Sequence, residues 1–226
     1  MTQTEHTFRA MQTIDGEMPY LLHLPDGYEE TEESFPLILF LHGMGERGND
    51  LDLLRTQGLA KKLDHQHDFP FIVVSPQCSL DSWWSLQIDV LIRLLDEIIA
   101  THRVDTTRVY LTGLSMGGYG TWALASSYPE RFAAIAPICG GMDHWFDLET
   151  RAQALSKMPI WTFHGAADDV VPITLTERVI AAIEAAGGTV KYTIYPRVNH
   201  DSWTQTYANP ELYTWFLSHT LSGNDQ

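Results

Sequence analysis

The chain has 226 residues, 44% of them apolar, which fits one domain spanning residues 1–226 around a shared core and leaves little room for a second. Its 14 Lys and Arg against 29 Asp and Glu give a net charge of −15, a field that repels phosphate backbones and anionic headgroups, so neither nucleic acid nor a membrane surface is an expected partner. Apolar runs such as residues 37–41 fall far short of the roughly 20 needed to cross a bilayer. The opening Met1-Thr-Gln-Thr-Glu-His has neither the basic nor the apolar part of a secretory signal, so a cytoplasmic location is expected. Cys78 and Cys139 stand in no zinc or C-x-x-C spacing, and free thiols are expected.

In chain order, strands are predicted around Phe8, at 20–24, 37–41, 71–75, 109–112, 133–137, 160–163 and 190–195. Most are unbroken apolar runs, as in strands buried on both faces, because a strand with one wet face alternates polar with apolar. Between them, Ile88, Leu91, Ile92, Leu95, Ile98 and Ile99 recur at three- and four-residue steps, while Asp89, Arg93 and Glu97 line another face. That is an amphipathic crossover helix. Further helices are predicted over 119–127, over 175–186 with Gly187-Gly188 as its stop, and from Pro210 to about Thr220, with a frayed tail from Ser222. Strands alternating with helices define the α/β class, with a mostly parallel sheet of about eight strands covered on both faces.

The strand at 109–112 runs into Gly113-Leu-Ser-Met-Gly-Gly118 and then into a helix, so G-x-S-x-G sits in the strand, turn and helix context it requires. Gly113 and Gly117 lack the Cβ atoms that would collide across so sharp a turn, and Ser115 at its apex would hold a strained backbone and a hydroxyl at a helix N-terminus. A serine hydroxyl needs an imidazole to take its proton. Of ten histidines, His200 in Arg197-Val-Asn-His-Asp-Ser-Trp203 follows the last strand and so shares the sheet edge of Ser115. The imidazole needs a carboxylate, and the strand at 160–163 empties into His164-Gly-Ala-Ala-Asp-Asp-Val-Val-Pro172, which offers Asp168 and Asp169. The order Ser, Asp, His matches α/β-hydrolases and neither protease order. Two backbone donors for an oxyanion are expected at Met116, next to the nucleophile, and at Met44 in the glycine-rich His42-Gly-Met-Gly-Glu-Arg-Gly48. That loop lacks the pattern of a nucleotide cradle.

Leu41-His-Gly-Met-Gly-Glu-Arg-Gly, Ser75-Pro-Gln-Cys with Trp83-Trp84 beyond, Gly113-Leu-Ser-Met-Gly-Gly, His164-Gly-Ala-Ala-Asp-Asp-Val-Val-Pro and Asn199-His-Asp-Ser-Trp together resemble the α/β-hydrolase superfamily. Within it they are similar to the carboxylesterase, phospholipase and dienelactone-hydrolase branch with its peptidase and feruloyl-esterase-type relatives, over nearly the whole chain. The resemblance implies the α/β-hydrolase fold, Ser115 as nucleophile, Asp168 rather than Asp169 as acid, His200 as base, and Met44 and Met116 as oxyanion donors. It implies no cofactor and no metal. In that fold two strands separate the ends before Cys78 and Cys139, about 14 Å at roughly 4.8 Å per step, too far for a disulfide. Residues 138–158, where the family inserts a substrate cap, leave room for a helix or two, so the site is expected to be open with a minimal cap.

The expected activity is hydrolysis of small carboxylic esters, with short or aromatic acyl groups, feruloyl-type included, through an acyl intermediate. A serine peptidase and a catalytically silent binding module are the rival readings. Trp83, Trp84 and Trp203 are candidates to line the cleft or to brace the core. Glu46 and Arg47 are expected to pair with each other, to fix the oxyanion loop, or to face solvent. His65 and His67 invite a metal reading, but no ligand cluster neighbours them.

Overall fold

The computed structural model describes residues 3–9, 17–64, 66, 68–142 and 147–221. Its strands are β1 (Thr4–Arg9), β2 (Glu17–His23), β3 (Phe35–Leu41), β4 (Ile72–Pro76), β5 (Val104–Leu114), β6 (Ala134–Ile138), β7 (Trp161–Gly165) and β8 (Lys191–Tyr195). They form one eight-stranded sheet in the order β1-β2-β4-β3-β5-β6-β7-β8. β1 and β2 are antiparallel to their neighbours, and every later pairing is parallel. The helices are α1 (Gly58–Leu63), α2 (Ile88–Thr101), α3 (Met116–Ser127), α4 (Leu148–Leu155), α5 (Ile173–Ala185), α6 (Trp203–Ala208) and α7 (Pro210–Leu217). This is the mostly parallel α/β sheet that the alternation of apolar runs and helical periods predicts, in the α/β-hydrolase form that the resemblance implies.

The period of two in side-chain direction explains why the inner strands read as solid apolar runs. Leu37, Leu39 and Leu41 of β3, with Leu111 of β5, face a core shared with Leu91 and Leu95 of α2, Trp122 of α3 and Val179 of α5. The intervening Ile38, Phe40 and Tyr110 face the opposite core, shared with Leu59 and Leu63 of α1, Tyr207 of α6 and Phe216 of α7. β8 departs from that pattern. As the last strand of the sheet it is only partly covered, and Lys191 and Ile194 are exposed.

α3 begins three residues earlier than the helix predicted at 119, through the poor helix formers Gly117 and Gly118. Packing decides the matter, since nearly every side of α3 is buried. A Cβ on Gly117 would collide with the carbonyl oxygen of Leu41, so only glycine lets the helix start so close to β3. α7 stops at Leu217, short of the predicted end near Thr220, and the short helices α1 and α6 arise where no strong period signals them. Within 138–158 the described residues contribute one helix, α4. Cys78 and Cys139 are both free and buried, as their separation in the sheet requires.

Candidate active site

Parallel register sets up the site. Leu41 of β3 pairs with Gly113 of β5, so the loops leaving these two strands emerge side by side at their C-terminal ends. Ser115 sits two residues beyond Gly113 at φ 53 and ψ −115, a conformation that costs a non-glycine residue roughly 1–3 kcal/mol. Its N–H donates to Ile138 O at 3.0 Å, which pins the elbow to the end of β6.

The loop after β8 brings His200 over this serine, with Nε2 2.9 Å from Ser115 Oγ and Nδ1 2.8 Å from Asp168 Oδ2. The other carboxylate oxygen of Asp168 accepts the N–H groups of Val170 and Val171 at 3.0 and 2.9 Å. Burial pushes the Asp168 carboxyl up, but the His200 hydrogen bond and these two amides outweigh it and hold it below the ordinary carboxylate value. Asp169, the other candidate, is exposed and contributes only its N–H, which donates to Asn199 Oδ1 at 3.1 Å. The same Asn199 oxygen accepts the N–H of His200 at 2.8 Å, so one side chain clips the acid loop to the base loop. Sequence reasoning assigned Asn199 no role.

A second histidine lies behind the acid and was missed. His164 is fully buried, with Nε2 2.9 Å from Val171 O and 3.2 Å from Asp168 Oδ2, and Nδ1 2.8 Å from Thr176 Oγ1. Burial lowers its pKa despite the neighbouring carboxylate. Its place at the end of β7, four residues before Asp168, was the available signal. Cys139 also borders the row: it follows β6 at φ 41, is fully buried, and burial pushes its thiol up to about 12.

Met44 and Met116 each stand three residues beyond the paired Leu41 and Gly113, and neither N–H donates to a described protein acceptor. The Met44 loop is pinned from several sides. His42 Nε2 accepts the N–H of Cys78 at 3.0 Å, which leaves the ring proton on Nδ1 to be donated to Gly43 O at 2.5 Å. Trp84 Nε1 donates to His42 O at 2.9 Å, and Gly43 N–H donates to Glu46 Oε2 at 2.8 Å. Arg47 donates to Met44 O at 3.2 Å and Ser82 O at 3.1 Å. Of the readings open for Glu46 and Arg47, fixing the loop is the one seen. Burial pushes the Glu46 carboxyl up.

The three tryptophans separate. Trp83 is 42% exposed beneath the Arg47 guanidinium, 5.4 Å from the ring centre. Trp203 stands edge-on to the His200 ring at 5.2 Å and donates from Nε1 to Gln57 Oε1 at 3.1 Å. Trp84 is a correction: at 0% exposure it cannot line a cleft, and its indole braces the Met44 loop from below. One residue beyond each partner of the Trp203–Gln57 bond begins a groove of about 420 Å³ between α1 and α6, lined by Gly58, Lys61, Lys62, Thr204, Tyr207 and Ala208. His65 and His67 lie outside the described residues.

A serine on a strained turn between β5 and α3, an acid after β7 and a histidine after β8, on this sheet, make the chain an α/β-hydrolase by fold and site geometry. The phospholipase/carboxylesterase family profile matches residues 74–211, more than half of the sequence, and the chain belongs to that family. It is similar to a crystal structure of a thermostable esterase at a TM-score of 0.81 and 31% identity, covering 96% of this chain and 63% of that one. It is 28% identical over 168 residues to the "probable feruloyl esterase C" of Aspergillus terreus, covering 73% of this chain and 59% of the relative. Over 141 residues it is 31% identical to the bifunctional acetylxylan esterase/xylanase XynS20E of Neocallimastix patriciarum, covering 60% of this chain and 20% of that protein. The chain spans less than two thirds of the length of each.

Proposed function

We propose that the protein hydrolyses carboxylic esters by a serine acyl-enzyme route. The observation that carries this reading is the unbroken hydrogen-bonded row Ser115 Oγ, His200, Asp168. In the first half-reaction His200 Nε2 takes the Ser115 proton as Oγ attacks the acyl carbon, then gives that proton to the leaving alkoxide oxygen. In the second, water takes the place of the alcohol and Ser115 is released with its proton. Asp168 keeps the ring proton on Nδ1 and stabilises the imidazolium that forms. The amides of Met44 and Met116 receive the developing oxyanion, the second aided by the positive end of α3.

Esters with short or aromatic acyl groups are the favoured substrates. Support comes from the exposed ring of Trp83, from Trp203 beside His200, and from relatives named for feruloyl and acetylxylan ester cleavage. The test is a panel of nitrophenyl acetate, nitrophenyl butyrate and a feruloyl ester beside peptide anilides, run on the protein and on Ser115→Ala. Ester turnover should exceed amide turnover and fall by roughly 10⁴-fold or more in the variant. Amide turnover in excess would make it a peptidase, and failure of a fluorophosphonate to label Ser115 would make it a silent hydrolase fold.

A further inference from the structure

Among the described residues only Ser115 and Cys139 hold a left-handed backbone without being glycine. Gly140 and Gly141 follow Cys139 directly, so the corner after β6 had unstrained residues at hand without placing a thiol there. A ligand atom each from Cys139, Asp168 and His200 all lie within 4.8 Å of one another. The Cys139 and Asp168 side chains are shut off from water, whereas that of His200 is 18% exposed, so the imidazole is the open side of the cluster. Thiolate, imidazole and carboxylate are the ligand types of zinc, and tetrahedral bonds of about 2.0–2.3 Å set ligand atoms roughly 3.3–3.8 Å apart. The cluster therefore needs to contract by about 1 Å at its widest. The 2.8 Å contact of His200 Nδ1 with Asp168 must open by about half that.

We propose that Cys139, Asp168 and His200 form an inhibitory site for a thiophilic divalent cation such as Zn²⁺. On binding, the Cys139 thiol releases its proton to solvent and its sulfur coordinates the metal, while Asp168 gives an oxygen lone pair. His200 coordinates through Nδ1, the nitrogen that faces Asp168, so its ring stays neutral and its single proton moves to Nε2. No electron changes hands. Nε2 then presents N–H to Ser115 Oγ and can no longer accept the serine proton, and Asp168 is taken from the imidazole at the same time. The effect on rate rests on the ester-hydrolase reading above; the binding itself does not.

Two measurements test this. Zinc titration of ester turnover, each protein normalised to its own zinc-free rate, should need at least about tenfold more zinc for half-inhibition in Cys139→Ser, since a hard hydroxyl replaces the soft ligand. Separately, Co²⁺ added to the Ser115→Ala protein should produce thiolate-to-cobalt charge-transfer absorption in the near ultraviolet, absent from the Ser115→Ala/Cys139→Ser double variant. Equal zinc sensitivity of the protein and Cys139→Ser overturns the proposal, as does a cobalt titration without that absorption. A band that survives loss of Cys139 belongs to Cys78 and overturns it too. The cobalt arm needs no turnover, so it decides the site even in a chain that hydrolyses no ester.

Discussion

Asp168 and Asp169 are neighbours in sequence with opposite surroundings: one carboxylate is sealed under His200 and two amides, the other faces water. Asp168→Asn should therefore lower kcat by about 10³- to 10⁴-fold by favouring the wrong imidazole tautomer. Asp169→Asn should stay within about twofold, as exposed substitutions away from the chemistry do. Steady-state kinetics on a nitrophenyl ester check both. Because the folded value of Asp168 lies below its ordinary 3.8, the stability it contributes is whole above that value and is lost as pH falls through the lower one. Three of the motif loops, read with the resemblance they carry, pointed to Ser115, Asp168 and His200. The supports His164, Asn199 and Gln57 were harder to read, because each also acts through a partner 12 to 146 residues away that only folding brings near. Trp84 was misjudged for the same reason, since a tryptophan in a loop looks alike whether it faces a cleft or the core.

At the scale of elements, α3 concentrates the design. Its first turn carries the Met116 amide, and its contact with β3 leaves no volume for a methyl group at Gly117. Gly117→Ala forces Leu41 and the helix start apart, which should cost about 3 kcal/mol, at the upper end for overpacking. Denaturant midpoints measure that loss. Turnover should fall as well, because the same shift moves the Met116 amide proposed to receive the oxyanion, so a variant of unchanged stability would mean that the contact relaxes freely. The central strands were legible because burial on both faces removes the polar alternation that would blur their ends. α1 and α6 were not, since helices of six residues owe their existence to packing on their neighbours rather than to any period of their own.

For the molecule as a whole, the buried imidazoles set acid tolerance. Burial lowers His42 to about 4 from the ordinary 6.5, with its Gly43 bond opposing and Arg47 adding to the shift. Below pH 6.5 the unfolded chain takes up a proton that the fold refuses, so stability declines as pH falls toward 4 and the loss is complete below it. The gap corresponds to about 3 kcal/mol, and His164, lowered in the same sense, adds to it. Partial neutralisation of the −15 net charge works the other way, but exposed charges are screened and worth less. Urea midpoints should thus drop steadily between pH 6.5 and 4, and a level profile there would contradict the neutral, buried state of His42.

The backbone of Ser115, at φ 53 and ψ −115, suits glycine better than serine. Conformational energy and chemistry are therefore opposed at this one codon. A lineage that stopped using the hydroxyl would gain robustness by discarding it, and drift would erase it early. Its retention in a descendant is for that reason a record of purifying pressure on turnover, not of architectural need.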